Sequence, residues 1–476
     1  MKRTKIVATL GPASNSTATL RSIIASGVDV VRLNFSHGTT QEKENLVKEI
    51  REAARIENKI VGILADLQGP KIRIAKFRNG AVNLQTGATF ILDSNLSKDD
   101  GDENIVGIDY STLPHDVKTG DILLLDDGRI VLAVTEIKET QVVCEIKVGG
   151  ILSNNKGINK QFGGLSADAL TTKDREDLRT AVLLEVDYIA ISFVRSKKDV
   201  EEAKALIVDA HGTAGIIAKI ERMEAIASQT LQEIIAVADG IMVARGDLGV
   251  EIGEVEIPSI QKLIISSSRA QNKPVITATQ MMETMIHNII PTRAEVSDVA
   301  NAVWDGTDAV MLSAETATGD HPSAVVQTMN KICVAAEKHP NSLDHMDKTI
   351  YQCGCVHEAI VLATTCIAKY LEIGAIITFT ETGKTPLEIS KIRSKAPIYG
   401  LSHSSTALGK MSLYNNVYPI KFDPTKFTDE DQLKIAAIAK IKEMGLVKIG
   451  DKVVIITKNR TGLLEAMHSL TILSVN

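Results

Sequence analysis

The sequence is poor in aromatic residues and cysteines, and it lacks long hydrophobic runs. Phe, Trp and Tyr make up only 3% of the 476 residues, so aliphatic side chains must build the hydrophobic cores. Five scattered cysteines are too few for a disulfide framework and favour a cytoplasmic protein. No run approaches the roughly 20 apolar residues of a membrane-spanning helix. The apolar residues 6–10 are too few for a signal peptide, so we expect no membrane association.

An excess of positive charge is also absent. The 53 Lys and Arg residues face 59 Asp and Glu residues, which gives a net charge of −6. This balance excludes the strongly basic surface with which many proteins bind nucleic acids. It leaves room for a compact basic pocket that takes a small anion, because net charge says nothing about local clusters. Apolar residues at 44% and charged residues at 24% are typical of a soluble globular chain, whose length suggests about three domains.

One short segment has the residue types of a metal site. Cys353, Cys355 and His357 lie close together in the sequence. Two thiols and one imidazole do not complete the four ligands of a structural zinc site. We therefore interpret these residues as ordinary side chains at the beginning of a helix.

Short apolar runs alternate with amphipathic segments along most of the chain. Helical spacing of apolar residues marks the intervening segments, such as 40–57, 173–184 and 257–271. Continuous apolar strands that alternate with helices are typical of a parallel sheet buried on both faces. Eight such units predict a closed (β/α)8 TIM barrel, with a doubly wound open sheet as the alternative. The eight predicted strands are 5–9, 28–33, 60–65, 188–194, 215–220, 240–244, 274–278 and 309–312.

Short strand patterns with turn signals interrupt this alternation between residues 70 and 166. Asn79-Gly80 and Asp127-Gly128 are strong turn dipeptides. The patterns predict a small all-β domain inserted after the third barrel strand. An insertion there lies over the end of the barrel that usually carries the active site. We interpret it as a lid, with a purely structural appendage as the alternative.

The last part of the chain predicts a separate α/β domain. Helical patterns at 357–371 and 431–444 accompany five short strand patterns, the last of them at 470–475. The predicted domains are a barrel over 1–70 and 167–341, an inserted β lid over 71–166, and a C-terminal α/β domain over 342–476.

Polar side chains follow the predicted barrel strands, where catalytic residues of such barrels lie. Glu221 and Asp247 follow two successive strands, and two carboxylates together with substrate oxygens suit Mg²⁺. Lys219 stands two residues before Glu221, so both side chains can leave the strand on one face. Arg32 and Arg73 add planar donors that match phosphate oxygens. Together these residues predict phosphoryl-transfer chemistry, with a surface network of ion pairs as the alternative.

Two common nucleotide-binding motifs are absent from the sequence. Residues 383–385 read GKT, but Thr378 stands where a Walker A loop has its first glycine, and no GxGxxG follows a strand. We therefore expect the barrel and the lid to hold any nucleotide.

The turn after the predicted strand at 375–380 is rich in hydroxyl and amide groups. Such a turn predicts a phosphate-binding nest for an allosteric effector, either a phosphorylated sugar or a nucleotide. The alternative is an ordinary strand-to-helix connection that leads into Pro386. The residues of this turn are Thr380, Thr382, Gly383, Lys384 and Thr385.

Motifs spread over nearly the whole chain resemble those of the pyruvate kinase family and follow the family's order. They are KIVATLGPAS, VDVVRLNFSHG, ADLQGPKIR, IAKIER, DGIMVARGDLGVEI, ITATQMMETM, PTRAEVSDVANAVWDGTDAVMLSAETATGDHP and TETGKT. The resemblance implies a barrel with an inserted β lid and a C-terminal regulatory domain. It implies transfer of phosphate from phosphoenolpyruvate to ADP, which gives pyruvate and ATP in the last step of glycolysis. It also implies a homotetramer.

Matched motif by motif, the resemblance implies roles for single residues. Lys219 would contact the transferring phosphoryl group and the enolate oxygen, and Arg32 would bind the phosphate. Thr279 would assist protonation of the enolate carbon. The substrate carboxylate would lie on the backbone of Gly246 and Asp247, at the start of a helix.

The resemblance also implies ligands for the ions and the nucleotide. Glu221 and Asp247 would hold Mg²⁺, with Mn²⁺ as the alternative divalent ion. The residues implied for the nucleotide are Asn34, His37, Arg73 and Lys156. The residues of the monovalent-cation region are Asn34, Ser36, Asp66, Leu67 and Lys71.

Three segments depart from the family pattern. KGINKQFGG stands where many members have an LPG-type turn at the end of the lid, and TKNRTGLLEAMHSL lacks the glycine-rich loop of many sugar-phosphate-regulated members. The third departure is Lys71, which replaces the glutamate of K⁺-dependent members. Together with Leu67 and Gln68 it resembles the K⁺-independent members, because a lysine ammonium can supply the cation's charge permanently. We expect no requirement for K⁺, with a solvated lysine at the rim as the alternative.

Two other functions stay open on the sequence alone. A carbon–carbon lyase that acts on phosphoenolpyruvate or pyruvate would keep the metal carboxylates, but it would need neither the lid nor Lys219. A non-catalytic sensor on the same fold would be expected to have lost Lys219, Glu221 or Asp247, and all three are present.

Overall fold

The computed structural model describes residues 1–339, 354–458 and 468–476. The chain begins with three parallel strands, β1 (Lys5–Leu10), β2 (Val30–Asn34) and β3 (Gly62–Asp66), connected by helices α1 (Thr17–Ser26) and α2 (Thr40–Ile56). Helix α2 begins where it does because the Thr39 side chain accepts from the amide of Glu42, whose carboxylate accepts from the Thr39 amide in return.

The segment after β3 forms the inserted all-β domain. A six-stranded sheet has the order β11-β7-β8-β9-β5-β6, and β10 pairs with β4. Its core is aliphatic apart from Phe77, Phe90 and Cys144. The predicted turns at Gly80 and Gly128 have φ angles of 80° and 82°, which glycine adopts without strain. The elements are β4 (Ala81–Leu84), β5 (Thr89–Asp93), β6 (Ile105–Gly107), α3 (Leu113–Asp116), β7 (Ile122–Leu125), β8 (Ile130–Lys138), β9 (Gln141–Val148), β10 (Gly150–Ser153) and β11 (Ile158–Lys160).

The chain then returns to the barrel with five more strands and their helices. The strands are β12 (Tyr188–Ile191), β13 (Gly215–Ile220), β14 (Gly240–Ala244), β15 (Val275–Ala278) and β16 (Ala309–Leu312). The helices are α4 (Thr172–Leu183), α5 (Lys197–Asp209), α6 (Met223–Ile226), α7 (Ser228–Val237), α8 (Arg245–Ile252), α9 (Ile257–Ala270), α10 (Arg293–Asp305), α11 (Ala314–Ala317) and α12 (Pro322–Glu337), with a 3-10 helix at Glu283–Ile286.

The eight parallel strands close into a barrel in the order β1-β16-β15-β14-β13-β12-β3-β2. Closure is made by β1 and β16, where Lys5 pairs with Ala309 and Ala8 with Leu312. The predicted barrel is confirmed, and the open-sheet alternative is wrong. The strands are continuously apolar because one face packs on the helices while Val7, Leu64 and other side chains fill the interior.

Several strands differ from their predicted bounds by a few residues. β2 and β3 begin later than predicted and end on the polar residues Asn34 and Asp66. The apolar residue Val28 is buried, at 3% exposure, in the connection before β2 and not in the strand itself. β12 stops at Ile191 because Phe193 takes a left-handed φ of 56°, which breaks the extended backbone.

The C-terminal domain is a five-stranded sheet in the order β19-β18-β17-β20-β21, parallel except for β21. It packs against the N-terminal ends of the barrel strands, where Lys391 donates to the buried Asp308 at 2.6 Å. Its elements are α13 (Val356–Tyr370), β17 (Ile373–Phe379), α14 (Lys384–Lys391), β18 (Ile398–Ser402), α15 (Ser405–Met411), β19 (Val417–Lys421), α16 (Glu430–Glu443), β20 (Lys452–Lys458) and β21 (His468–Ser474), with a 3-10 helix at Pro424–Lys426.

Two parts of the sequence analysis fall outside this description. Cys353 and most of the segment that departs from the sugar-phosphate-regulated pattern, residues 459–467, lie outside the described residues. Among the residues that are described, no helix combines the length and the apolar character needed to cross a membrane.

Candidate active site

The predicted site residues converge at the C-terminal end of the barrel. Asp66 ends β3, Lys219 lies near the end of β13, and Glu221 directly follows β13. Asp247 lies in the first turn of α8, which begins at the end of β14. Because all eight strands are parallel, these positions lie at the same end of the barrel.

Lys219 is the centre of this cluster. Its Nζ lies 2.8 Å from Glu221 Oε1 and 3.3 Å from Asp66 Oδ1, and it donates to Ser192 Oγ at 2.7 Å. Burial opposes its charge, but the two carboxylates outweigh burial and raise the pKa of Lys219 well above its usual range. The ammonium is therefore a fixed positive charge at the mouth of the barrel.

Asp66 connects this lysine to Arg32. Its Oδ2 accepts from Arg32 Nε at 2.6 Å, and Arg32 Nη1 donates to Thr9 Oγ1 at 3.0 Å. Burial alone would raise the pKa of Asp66, but the charges of Lys219 and Arg32 lower it below its usual value. An ionised Asp66 therefore fixes the orientation of both Arg32 and Lys219 at the mouth of the barrel.

Glu221 and Asp247 form the carboxylate pair. Glu221 Oε2 accepts from the backbone N–H of Phe193 at 2.7 Å, and the side chain is 1% exposed. Burial, together with the nearby charge of Asp247, raises the pKa of Glu221. In the described part of the chain no group of three or more His, Cys, Asp or Glu side chains has metal-binding geometry. A pair of carboxylates is what Mg²⁺ takes when substrate oxygens and water supply the other ligands.

The tip of β15 is backbone under strain. Thr279 and Gln280 have φ angles of 65° and 52°, a conformation that costs energy for a β-branched residue such as threonine. Thr279 Oγ1 accepts from the Gly246 amide at 2.9 Å and donates to the carbonyl of Ala278. The hydroxyl of Thr279 therefore lies at the first turn of α8, beside Asp247.

Arg245 supports the strained backbone at Thr279 and Gln280. Its side chain is 6% exposed and donates to the Thr279 carbonyl at 2.6 Å and to Asp298 at 2.8 Å. It is thus a structural support, although it lies next to Gly246 in the motif.

The monovalent-cation region lies around the ends of β2 and β3. Asn34 Oδ1 accepts from the Ser36 amide at 3.0 Å, and Leu67 is buried with its carbonyl accepting from Ser192 Oγ at 2.7 Å. Lys71 Nζ lies 3.4 Å from Asp247 Oδ1. The lysine ammonium therefore faces the carboxylate pair, while Asp66 is paired with Arg32 and Lys219.

The residues implied for the nucleotide are divided between barrel and lid. His37 is exposed in the loop after β2. Arg73 Nη1 donates to the carbonyl of Asn155 at 2.9 Å, and Lys156 Nζ lies 2.6 Å from Asp126 Oδ1. Arg73 also forms an antiparallel bridge with Gly157, so both cations of the lid lie on the two short segments that this bridge joins.

The lid returns to the barrel through a left-handed turn. Phe162, Gly163 and Gly164 have φ angles of 66°, 74° and 93°. The amide of Gly164 donates to Glu224 Oε1 at 2.6 Å, and the amide of Phe162 donates to the carbonyl of Glu251 at 3.1 Å. The end of the lid is thus attached to α6, which follows Glu221, and to α8, which contains Asp247.

The turn predicted to bind an effector lies far along the chain, at the start of α14. The amide of Gly383 donates to Thr380 Oγ1 at 2.8 Å and that of Lys384 to Thr382 Oγ1 at 3.4 Å. The helix begins at Lys384, whose Nζ is 3.8 Å from Glu388. In this structure the hydroxyl groups of Thr380 and Thr382 therefore accept from backbone amides of the turn itself.

Sequence reasoning missed two residues that touch the central cations. Ser192 accepts from Lys219, and Thr9 accepts from Arg32. Ser192 is embedded in the apolar run ISFV, and Thr9 is one of six consecutive buried residues of β1. The only available signal was a hydroxyl near the C-terminal end of a barrel strand.

Comparisons with known proteins agree along the whole chain. The family model described as pyruvate kinase, barrel domain, matches residues 1–326, and that described as pyruvate kinase, alpha/beta domain, matches residues 358–473. The chain is 48% identical over 477 residues to "Pyruvate kinase II" of Salmonella typhimurium, covering 100% of this chain and 99% of that relative. It is 48% identical over 460 residues to the pyruvate kinase of Haemophilus influenzae, with 96% and 95% covered. It is 40% identical over 476 residues to that of Thermotoga maritima, with both chains covered completely.

Proposed function

The chain belongs to the pyruvate kinase family, and on that premise we propose how its residues divide the work of the reaction. The reaction is the transfer of a phosphoryl group from phosphoenolpyruvate to ADP, which gives pyruvate and ATP in the last step of glycolysis. The observation that carries the proposal is Lys219, whose half-buried ammonium lies between Asp66 and Glu221 at the mouth of the barrel.

Lys219 and Arg32 bind the phosphoryl group. As the bond between phosphorus and the enolate oxygen breaks, negative charge moves onto that oxygen, and a charge already fixed in position needs no reorganisation to stabilise it. The ion pairs of Asp66 with both cations supply this fixed orientation. The contribution of Lys219 is therefore greatest in the transition state.

Glu221 and Asp247 hold a divalent cation, Mg²⁺ or Mn²⁺. The fit rests on the donor set, because two neighbouring carboxylates are the protein ligands that such an ion takes together with substrate oxygens and water. Such an ion, when bound, supplies positive charge to the phosphoryl and enolate oxygens.

The first turn of α8 and the tip of β15 position the pyruvate part of the substrate. The N-terminus of a helix favours a carboxylate, and we assign the substrate carboxylate to the backbone of Gly246 and Asp247 in the first turn of α8. Thr279 lies beside them, and its hydroxyl is held by the Gly246 amide and the Ala278 carbonyl. We propose that Thr279 assists the protonation of the enolate carbon after phosphoryl transfer.

Arg73 and Lys156 bring positive charge to the phosphates of ADP from the lid, and Asn34 and His37 complete the nucleotide site from the loop after β2. Closure of the lid excludes water, which would otherwise compete with ADP for the phosphoryl group. The returning end of the lid is attached to α6 through the hydrogen bond from Gly164 to Glu224. The lid is therefore hinged close to Glu221 and Asp247.

The reaction is tested by measuring pyruvate formation from phosphoenolpyruvate with and without ADP, and with Mg²⁺ or with a chelator. We expect pyruvate and ATP in equal amounts only when both ADP and Mg²⁺ are present. Pyruvate formed without ADP would point to a lyase or a phosphatase, and activity in the presence of chelator would contradict the assigned role of Glu221 and Asp247.

Three further properties are proposed, the first from the family resemblance, the second from the few scattered cysteines and the third from the groups of one turn. The enzyme forms a homotetramer, acts in the cytoplasm, and binds a phosphorylated effector at the turn from Thr380 to Thr385. The effector site is tested by activation kinetics at low phosphoenolpyruvate with a panel of sugar phosphates and nucleotides, on the unmodified chain and on Lys384→Ala. Activation that is unchanged by the substitution would contradict this location.

A further inference from the structure

Ser192 lies where three neighbouring barrel strands end. It directly follows β12, which ends at Ile191, and its side chain is buried at 2% exposure. The next residue, Phe193, has a left-handed φ of 56° and donates its amide to Glu221 at 2.7 Å. Because β12 lies between β3 and β13 in the barrel, Ser192 stands between the end of β3 and the strand that contains Lys219.

The hydroxyl group of Ser192 has its single proton committed to a carbonyl. Ser192 Oγ donates to the carbonyl of Leu67 at 2.7 Å, and this contact is buried. A hydroxyl group has one proton and two lone pairs, so toward other groups it can only accept. Lys219 Nζ lies 2.7 Å from the same oxygen, and an ammonium can only donate. The Ser192 hydroxyl is therefore a fixed acceptor for the Lys219 ammonium.

Close packing restricts the Ser192 side chain. A Cβ atom at Gly69 would lie 2.7 Å from Ser192 Cβ, so the backbone of Gly69 passes directly against this side chain. Gly69 is itself held in place, because its amide donates to the buried Asp174 Oδ1 at 3.0 Å. The segment after β3 thus holds Ser192 in two ways, by the carbonyl of Leu67 and by the backbone of Gly69.

The two carboxylates near Lys219 attract its charge but do not define its direction. Lys219 Nζ lies 3.3 Å from Asp66 Oδ1 and 2.8 Å from Glu221 Oε1. In the described part of the chain, neither of these buried oxygens has a contact that meets hydrogen-bond geometry. The contact with Ser192 does meet it. Since a hydrogen bond depends on angle as well as distance, Ser192 is the group that orients the ammonium.

Without the Ser192 hydroxyl, only ion pairs would hold the ammonium. We expect it then to settle against the nearer carboxylate, that of Glu221. Its charge would be directed at a side chain that we assign to the divalent cation, and away from the oxygen that gains charge when the phosphoryl group leaves.

We propose that Ser192 is a positioning residue for phosphoryl transfer, whose hydroxyl, fixed by the Leu67 carbonyl, holds the Lys219 ammonium where the enolate oxygen develops its charge. The proposal rests on the proposed function, because it deepens the role of Lys219. A charge fixed in position stabilises the transition state more than it strengthens substrate binding. Ser192 should therefore affect kcat more than KM.

The first test is steady-state kinetics of Ser192→Ala, with circular dichroism as the check on folding. We expect kcat to fall by about 10- to 100-fold, the size of losing one hydrogen bond to a charged group, with KM for phosphoenolpyruvate nearly unchanged. Ser192→Cys fills the space of the hydroxyl, but its sulfur accepts only weakly, so it should be slow as well. Ser268→Ala is the matched control, because it removes a fully buried serine hydroxyl in α9, and it should keep full activity. A wild-type kcat in either Ser192 variant would overturn the proposal.

The second test is a double-mutant cycle with Lys219→Met. Because Ser192 acts through Lys219, Ser192→Ala should not slow the Lys219→Met enzyme further. Ser192→Ala also removes the donor to the Leu67 carbonyl, and that loss is the same whether or not the lysine is present. An equal fall of kcat in both backgrounds would show that Ser192 merely supports Leu67, and would overturn the proposal.

The third test does not depend on activity. In a crystal structure of Ser192→Ala, we expect Lys219 Nζ to have moved toward Glu221, and an unmoved ammonium would overturn the proposal. If Ser192→Ala does not fold, Ser192→Cys takes its place in all three tests. An unmodified chain that forms no pyruvate, combined with a shifted ammonium in the variant, would count against the proposed function and leave the positioning of Lys219 by Ser192 in place.

Discussion

At the scale of the residue, Lys219 carries the largest expected effect. Lys219→Met removes the charge that stabilises the enolate oxygen and leaves Asp66 and Glu221 without their shared partner. We expect kcat to fall by about 10²–10³, with a much smaller change in KM for phosphoenolpyruvate. Lys198→Met, on the exposed surface of α5, is the matched control and should keep full activity. Circular dichroism and steady-state kinetics check the result, and a wild-type kcat would refute the role.

Lys71 is expected to determine whether the enzyme requires K⁺. Its ammonium lies 3.4 Å from Asp247, so the site already contains a permanent positive charge beside the carboxylate pair. We expect full activity in tetramethylammonium buffer without K⁺ or Na⁺. Lys71→Glu should make activity depend on K⁺, because a carboxylate there needs a bound cation to offset it. Lys71→Gln controls for simple loss of charge, and all assays are run at one ionic strength. A large stimulation of the unmodified chain by K⁺ would show the proposal to be wrong.

At the scale of the element, the returning turn of the lid depends on one carboxylate. Glu224→Ala removes the acceptor of the Gly164 amide and leaves that end of the lid less constrained. We expect KM for ADP to rise by about 3- to 10-fold, since one typical hydrogen bond contributes on the order of 0.5–1.5 kcal/mol. KM for phosphoenolpyruvate should change less, because that substrate lies on the barrel. Glu224→Gln keeps an acceptor oxygen and should behave like the unmodified chain; equal effects of both variants would argue against the hydrogen bond.

The elements also show what sequence reasoning can reach. The barrel was predictable because eight continuous apolar runs need burial on both faces, and the strand ends identified Asp66, Lys219, Glu221 and Asp247 by position alone. Ser192 was not predictable, because a serine inside an apolar run gives no sign of facing a lysine from the neighbouring strand. The partner of Lys71 was not predictable either, since it belongs to a helix 176 residues away.

At the scale of the whole molecule, the contact between barrel and C-terminal domain makes stability depend on pH. Burial raises the pKa of Asp187 to about 7, although Arg51 and Lys410 oppose the shift. The folded state therefore binds this proton more tightly than the unfolded chain, and its stabilising effect is lost as pH rises from about 4 through 7. Asp187→Asn has no carboxyl group to ionise and so does not lose this stability. The melting temperature of Asp187→Asn minus that of the unmodified chain should therefore be larger at pH 8 than at pH 5. Thermal melts at both pH values check this, and a constant difference would contradict it.

The assembly is the other prediction at this scale. A homotetramer of 51.3 kDa chains should give a light-scattering mass of about 205 kDa at micromolar concentration, four times the chain mass. The mass of a single chain under the same conditions would rule out the tetramer.

The pairing of β1 with β16 also sets an order of events during synthesis. Lys5 of β1 pairs with Ala309 of β16, so β1 lacks this neighbouring strand until residue 309 has been synthesised. At about 5–20 residues per second this takes about 15–60 s. Until then one edge of β1 has unpaired amides and carbonyls, the kind of edge on which unfinished chains aggregate. The inserted β domain makes all its strand pairs between residues 81 and 160. A nascent chain halted on the ribosome before β16 should therefore carry a protease-resistant β domain on a barrel that is still open and sensitive to cleavage.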